Sequence, residues 1–349
     1  MREITAATAA EYLRESGRVP DRALIDVREL SGGVSNIVLR VDIRGKPPFV
    51  IKQCRERLRV AMDWRARLDR IWTERATLDV LQSILPEGTV PTVLFEDRPD
   101  YLFAMTCAPD DAVTWKTHLM DGEIDPDIAA RLGTILGTIH ARANEHPALH
   151  ETLADTSLFE ELRVDPYYRT AAGAHPDIAP RILALIAAMN RPADQRTLVL
   201  GDFSPKNILV HAEGLILLDF ECAHAGDPAF DLGFFLSHLL LKSIRAASND
   251  RNLTSRYIGI TTLFWQSYLD RRGIDTAARV ELVGRSIQHV AACALARVDG
   301  KSPVEYLDDR ERAVTRSFAR EALLAEPTTW DDLCMVLDNA IGGGMLWQS

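Results

Sequence analysis

The sequence predicts an α+β chain in two lobes, a small antiparallel-sheet lobe over residues 1–107 and a larger, mostly helical lobe over 108–349. Three observations carry this. A length of 349 residues suggests about two domains at roughly 150 residues each. Strand-like runs rich in β-branched residues crowd into the first hundred positions. Beyond them, apolar residues recur at helical spacings behind recognisable caps.

The N-terminus, "MREITAATAAEYLRESG", carries charges throughout and has no apolar signal core, so it reads as a short surface helix and a cytoplasmic location is the expectation. "ALIDVRELSGGVSNIVLRVDIRGKPPFVIKQ" reads as three antiparallel strands, turning at Gly32-Gly33 and at Gly45 to Pro48. Trp64, Leu68, Ile71, Leu78, Leu81 and Leu85 then stripe a helix, and "VPTVLFED" and "YLFAMTCAP" supply two more strands. The lobes meet near 107–112, at "CAPDD".

Asp125-Pro126 is an N-cap followed by a proline at the first helical position. The helix it opens carries Ile128, Leu132, Ile135, Leu136 and Ile139 on one face. Similar patterns fill most of 178–190, 228–244, 254–271, 278–297 and 305–325. Thr329 and Asp332 stand at capping-box spacing before a last helix striped by Leu333, Val336, Leu337 and Ile341 and ended by Gly342 to Gly344.

Hydrophobic content of 47% and charged content of 26% suit a globular protein with a sizeable core. No stretch approaches the roughly 18 apolar residues of a membrane span. The five cysteines (54, 107, 222, 293, 334) form no C-x-x-C pair, which argues against a disulfide framework or structural zinc. A net charge of −10 argues against a general nucleic-acid or anionic-membrane binder. It would suit a cationic substrate, although many plain enzymes are acidic too.

Chemistry concentrates in "VLGDFSPKNILVHAEGLILLDFE", from Val199 to Glu221. Asp202 emerges where a short strand ends. Asn207 follows five positions later, and a hairpin turning at Glu213-Gly214 delivers Asp219 at its far end. Such a hairpin brings Asn207 near Asp219, with Asp202 in reach of both. A magnesium-like ion takes hard oxygen ligands, a few from protein and the rest from water and phosphate. Asn207 and Asp219 fit as ligands, leaving Asp202 to accept a proton from an attacking hydroxyl. The plain alternative, turn residues and a cap, explains each residue alone but not the ordered set.

In the sheet lobe, Gly32, Gly33, Ser35 and Asn36 stand at a hairpin tip whose N–H groups can approach phosphate, although a hairpin needs glycine anyway. Lys52 sits in an apolar strand, where an unpaired ammonium is costly. Glu74 lies three residues after Ile71 and four before Leu78, on the apolar stripe, and is its natural partner.

The ordered set "GGVSN", "VIK", the helical Glu74, "GDFSPKN", "LDFE" and "GDPAFDLG" resembles the aminoglycoside phosphotransferase and choline kinase-like family of small-molecule kinases, from about residue 25 to 300. The resemblance implies a bilobal protein-kinase-like fold that uses ATP, with GTP as the competing donor, and Mg2+. It implies Asp202 as catalytic base, Asn207 and Asp219 as metal ligands, and Lys52 on the α- and β-phosphates, held by Glu74. Gly32, Gly33, Ser35, Asn36 and Met105 fall with the nucleotide-binding residues. Asp231 supports the catalytic loop, and Glu221 is a candidate for a water-mediated metal contact. Each role fits phosphoryl transfer, which is mostly positioning and charge neutralisation.

The family's usual H-G-D reads Leu200-Gly201-Asp202 here, which leaves a catalytically weak, nucleotide-binding pseudokinase as the alternative. Lys206 is either aimed at the transferred phosphate or a solvated loop lysine. Only eleven residues separate Asp219 from Asp231, too few for a peptide platform, so the expected partner is a small-molecule hydroxyl acceptor. "TWKTHLMDGEID" and "ARVDGKSPVEYL" are loosely similar to segments of methylthioribose kinase-like members. Trp115 would then be a flat wall of the acceptor site, or core, and Arg297 a fixed cation there, or a structural ion-pair partner. His140 reads as a hydrogen-bonded core histidine. The acceptor (sugar, aminoglycoside, choline or homoserine) and the oligomeric state are not specified by the sequence.

Overall fold

The protein is described by a computed structural model covering residues 1–30, 36–56, 67–248 and 250–342. Gly32, Gly33 and Ser35 lie outside the described residues, as do Trp64, Gly343 and Gly344. The chain divides into two compact units, Met1–Ala112 with Val210–Glu221, and Val113–Leu209 with the chain from Cys222 onward.

The first unit is built on five antiparallel strands: β1 (Ile25–Glu29), β2 (Asn36–Ile43), β3 (Phe49–Cys54), β4 (Val93–Asp97) and β5 (Leu102–Thr106). Their order is β1-β2-β3-β5-β4. Two-residue periodicity sorts their side chains. Ile37, Leu39, Val41, Phe49, Ile51, Leu102 and Ala104 pack with Tyr12 and Leu13 of α1 (Ala9–Glu15) into one core. The N-terminal helix is therefore anchored through one face. Lys52 alternates with Ile51 and points its side chain to the opposite face. There α2 (Arg70–Ile84) buries Ile71, Glu74, Leu78 and Leu81 on one stripe. The Val210–Glu221 segment is tied to this unit by Leu217 N–H donating to the Thr89 carbonyl (2.8 Å) and Ala212 N–H to the Asp111 carboxylate (2.9 Å).

The second unit begins with β6 (Val113–Thr114), α3 (Trp115–Met120) and α4 (Pro126–Arg142), the last capped by Asp125 accepting from the Asp127 N–H. Pieces of helix follow: α5 (Ser157–Phe159), a π-helical stretch Glu160–Arg169 holding Pro166, α6 (Thr170–Ala174) and α7 (Ala179–Ala188). Next come β7 (Thr197–Val199), β8 (Ile208–His211), β9 (Gly214–Leu217) and β10 (His224–Gly226), with β10 antiparallel to β7. The division between the units falls inside β8, so the hairpin's second strand belongs to the first unit.

Five helices follow among the described residues: α8 (Ala229–Ala247), α9 (Arg251–Arg272), α10 (Thr276–Asp299), α11 (Asp309–Ala325) and α12 (Trp330–Ala340). α8 is buried on nearly all sides, against α9 and α10, as an apolar-all-round helix must be. α4 packs along α9 so closely that a Cβ at Gly133 would stand 2.3 Å from the Phe264 carbonyl oxygen. Thr329 caps α12 by accepting from the Asp332 N–H.

Candidate active site

In the first unit, Lys52 is held between two carboxylates. Its Nζ lies 2.6 Å from Glu74 Oε2 and 2.9 Å from Asp219 Oδ1. Burial pulls the Lys52 ammonium down, but Asp219 and Glu74 overcome it and leave it above the usual lysine range. Burial pushes the Glu74 carboxyl up to about 7 against the pull of Lys52, and the Asp219 charge adds to the rise. Asp219 adopts a left-handed backbone, φ +69°, immediately after the apolar Leu215–Leu218 run. A non-glycine residue held there is costly and is found where geometry serves a site.

Beside this clasp, Glu221 accepts from Asn36 Nδ2 and from Arg70 Nε, both at 3.1 Å. Arg70 is fully buried and also donates to the carbonyls of Arg55 and Arg67. Glu221 is thus braced between β2 and α2. Nothing in the sequence pattern singled out Arg70, whose only signal is an arginine at the start of an otherwise apolar helical stripe. Met105 is buried in β5, opposite Val50 of β3 and Val93 of β4.

In the second unit, Asp202 follows Gly201 after β7. Gly201 takes φ +74°, and a Cβ there would stand 2.7 Å from the Cys222 carbonyl oxygen, so only glycine fits this approach. Asp231 fixes the loop from beneath: its carboxylate accepts from the Leu200 N–H (2.7 Å) and the Gly201 N–H (2.9 Å). His140 Nε2 meets the same carboxylate at 3.3 Å and its Nδ1 meets the Tyr268 hydroxyl at 2.9 Å. Burial holds this imidazole below its ordinary value, opposed by the bond to Asp231. The loop is therefore braced with a leucine at position 200, whose side chain is buried.

Asp202 Oδ2 is met by two cations, Lys206 Nζ and Arg163 Nη2, each at 2.9 Å. Arg163 also donates through Nε to the Gly201 carbonyl (2.7 Å) and lies over the rings of Tyr167 and Phe234. It comes from the π-helical stretch and was missed in the sequence. Asn207 donates from Nδ2 to the Asp202 carbonyl (3.0 Å), which leaves its carboxamide oxygen as the group available to a cation.

Trp115 is wholly buried and stacks on Phe235, ring centroids 5.8 Å apart. The reading of it as an acceptor wall is corrected: it offers no surface to a ligand and is a core residue of α3. Arg297 donates from Nη1 to the Tyr167 hydroxyl (2.9 Å) and to Ser302, and no carboxylate pairs with it among the described residues.

No helix among the described residues is long and apolar enough to cross a membrane. No group of three His, Cys, Asp or Glu among them is arranged to hold a metal ion. Asp219 of the first unit offers a carboxylate, and Asn207 of the second a carboxamide. Both are hard oxygen donors of the kind magnesium takes alongside water and phosphate.

Comparison with known proteins follows these groups. A methylthioribose kinase of Bacillus cereus (strain AH187) is 24% identical over 295 residues, covering 76% of this chain and 72% of that protein. The methylthioribose kinase of B. cereus strain B4264 is 23% identical over 361 residues, covering 92% and 91%. Among solved structures, the amicoumacin kinase hAmiN in complex with AMP-PNP, Ca2+ and Ami matches with a TM-score of 0.60 at 15% identity, over 94% of this chain and 98% of that one. A choline kinase from Cryptosporidium parvum Iowa II matches at 0.54 and 12% identity, over 97% and 98%. At these identities the structural likeness speaks to the fold, an α+β arrangement shared with small-molecule kinases. The phosphotransferase enzyme family matches residues 26–256, a span from β1 into α9 that takes in Lys52, Glu74, Asp202, Asn207, Asp219 and Asp231, and to that family this chain belongs.

Proposed function

We propose that this phosphotransferase moves the γ-phosphoryl group of ATP to a hydroxyl of a small molecule, assisted by magnesium, with Asp202 as the base. The observation that carries the reading is the clasp of Lys52 between Glu74 and Asp219. It holds a buried ammonium fixed and charged, which is what positioning of anionic phosphates requires. Asp219 and Asn207 would hold the metal ion, which supplies charge neutralisation at the phosphates. Asp202 accepts the proton of the acceptor hydroxyl through its carboxylate, within hydrogen-bond reach of the attacking oxygen. Arg163 and Lys206 keep that carboxylate in place, and Lys206 is the cation nearest to it that a substrate anion can recruit. Relatives named as kinases of methylthioribose support a small hydroxyl acceptor. The braced Leu200 loop supports an active enzyme over a nucleotide-binding pseudokinase.

The test is a thermal-shift titration with ATP and with GTP, each with and without magnesium, on the wild type and Asp219→Ala. A ligand of the native state raises the melting temperature by mass action. A magnesium-dependent rise with ATP, lost in Asp219→Ala, is the expected result, and GTP rising instead would reassign the donor. No rise with either nucleotide in folded protein would refute the reading. Slow ATP hydrolysis that persists unchanged in Asp202→Asn would remove Asp202 from its role.

A further inference from the structure

Within the helical unit, next to the Asp202 loop, is a small cavity of about 30 Å³ whose lining is cationic. Lys116 of α3, Lys206 of the loop, Lys242 of α8 and Arg297 of α10 converge on it, with His238 and Tyr306. No acid is among the described residues that line it. The adjacent Glu305 is paired with Lys116.

Like charges gathered in a buried space repel one another, and here the polar groups are also underused. Lys242 is only 2% exposed, and among the described residues its ammonium donates to one group, the His238 carbonyl, 3.1 Å away one turn earlier on α8. His238 Nε2, the Tyr306 hydroxyl and Arg297 Nε are buried without a hydrogen-bond partner among the described residues. The ammonium groups of Lys242 and Lys116 lie over the Tyr306 ring at 5.2 and 5.8 Å, which relieves but does not neutralise them. Burial, with Lys116 and Arg297 nearby, pulls the Lys242 amine down to about 7. Lys116 has a carboxylate in Glu305 and Lys206 has one in Asp202. Lys242 and Arg297 pair with none among the described residues, and with the idle His238, Tyr306 and Arg297 groups they are suited to take an anion.

We propose that this cavity is the recognition site for a carboxylate of the acceptor, so that the substrate is a short hydroxy acid. The assignment to the acceptor rests on the kinase reading given above. Size favours a carboxylate: at about 10–15 Å³ per water on such a measure, 30 Å³ takes two oxygen atoms. Position favours a hydroxyl only a few bonds away, because Lys206 lines the cavity and also reaches Asp202 Oδ2 at 2.9 Å. One end of the acceptor would sit on Lys242, Arg297 and Tyr306, and the other would present its hydroxyl to Asp202. A quaternary ammonium or polycationic acceptor would be repelled from the same lining.

The test uses the full chain and matched pairs of compounds, glycerate with glycerol and gluconate with glucose, plus malate, choline and inorganic phosphate. Without nucleotide, at least one hydroxy acid is expected to raise the melting temperature where its neutral partner does not. Lys242→Met and Arg297→Gln should each weaken that acid about tenfold, the loss of one charge-assisted bond. Tyr306→Phe, which keeps the packing, serves where either variant fails to fold, and should weaken it less. In phosphoryl transfer from ATP, the acids should exceed their neutral partners at least tenfold in kcat/KM.

Preference for glycerol, glucose or choline would overturn the proposal. So would stabilisation by phosphate but by none of the carboxylates, or variants that bind the acids as the wild type does. Magnesium–ATP is titrated in the same samples. A nucleotide shift without an acid shift refutes the carboxylate site and leaves the kinase standing. An acid shift without a nucleotide shift refutes the kinase reading, and with it the assignment of this anion site to an acceptor.

Discussion

Removing Lys52 should damage the protein far more than removing the charge of Glu74, although the two are partners. Lys52 is 5% exposed and Glu74 2%, so neither charge is repaid by water. Lys52→Met takes the cation from between two carboxylates and leaves Glu74 and Asp219 facing each other. Breaking a buried pair in this way costs about 3–5 kcal/mol. Glu74→Gln leaves Lys52 its Asp219 partner at 2.9 Å and an amide oxygen where Glu74 Oε1 accepted. What is lost is one charge-assisted bond, weakened already because the Glu74 carboxyl is pushed up to about 7; about 1 kcal/mol is the expected loss. The assay is urea unfolding followed by circular dichroism and by tryptophan fluorescence, with the slope checked for constancy before midpoints are compared. The Lys52→Met deficit should also shrink from pH 8 to pH 6, where Glu74 takes up a proton. Equal losses in the two variants, or a larger one in Glu74→Gln, would refute the asymmetric clasp.

Arg163→Met, which keeps the stem but removes two donors from the Asp202 loop, should lower turnover at least tenfold and change nucleotide affinity little; unchanged kcat would reduce Arg163 to packing. Lys242 makes stability depend on pH in a stated direction. Its amine is at about 7 in the folded chain and in the ordinary lysine range when unfolded, so between these limits the unfolded chain holds one more proton. Its contribution to stability therefore rises with pH by about 1.4 kcal/mol per unit from about 7 upward, and its burial cost is fully present below 7. The groups facing it are Lys116, Lys206, Arg245, Arg297, Glu305, His238 and Tyr306. Burial holds the Tyr306 hydroxyl above the usual tyrosine range. Chemical denaturation across pH 6–10 should give a wild-type slope that Lys242→Met flattens, and hydroxy-acid binding should weaken as pH rises through 7. Gly133→Ala should destabilise by about 1–3 kcal/mol through overpacking of α4 on α9, more than the roughly 1 kcal/mol a helical alanine returns; a stabilised variant in the same assay would contradict the close approach.

Local rules made much of this molecule legible. Strand alternation put Lys52 on the face away from Ile51, and the Ile71–Glu74–Leu78 spacing put Glu74 where it could meet that lysine. Asp125 and Thr329 cap the helices their sequences announce. What escaped the sequence depends on tertiary approach. Arg163 stands in a stretch where Pro166 and π-helical turns erase the helical period, and its partner Asp202 is 39 positions away. Trp115 carried no local mark to separate a ligand wall from a core ring; its burial against Phe235 decides that. The hairpin 208–217 was legible, but not that its second strand joins the sheet-bearing unit.

Charge was the least legible property, because a sum over the chain says nothing about a cavity. The net charge of −10 favoured a cationic substrate if it favoured anything. The helical unit reverses that sign where it matters, with Lys206 and Arg163 on the Asp202 carboxylate and three further cations around the neighbouring cavity. His238 and Lys242 passed unremarked in "FFLSHLLLKSIRAA" because an apolar run absorbs a few polar letters without losing its helical pattern. In a helix buried on nearly all sides, however, each such letter must find a partner or remain a cost. Lys242 has one carbonyl, and a second partner from outside the chain would turn that cost into recognition.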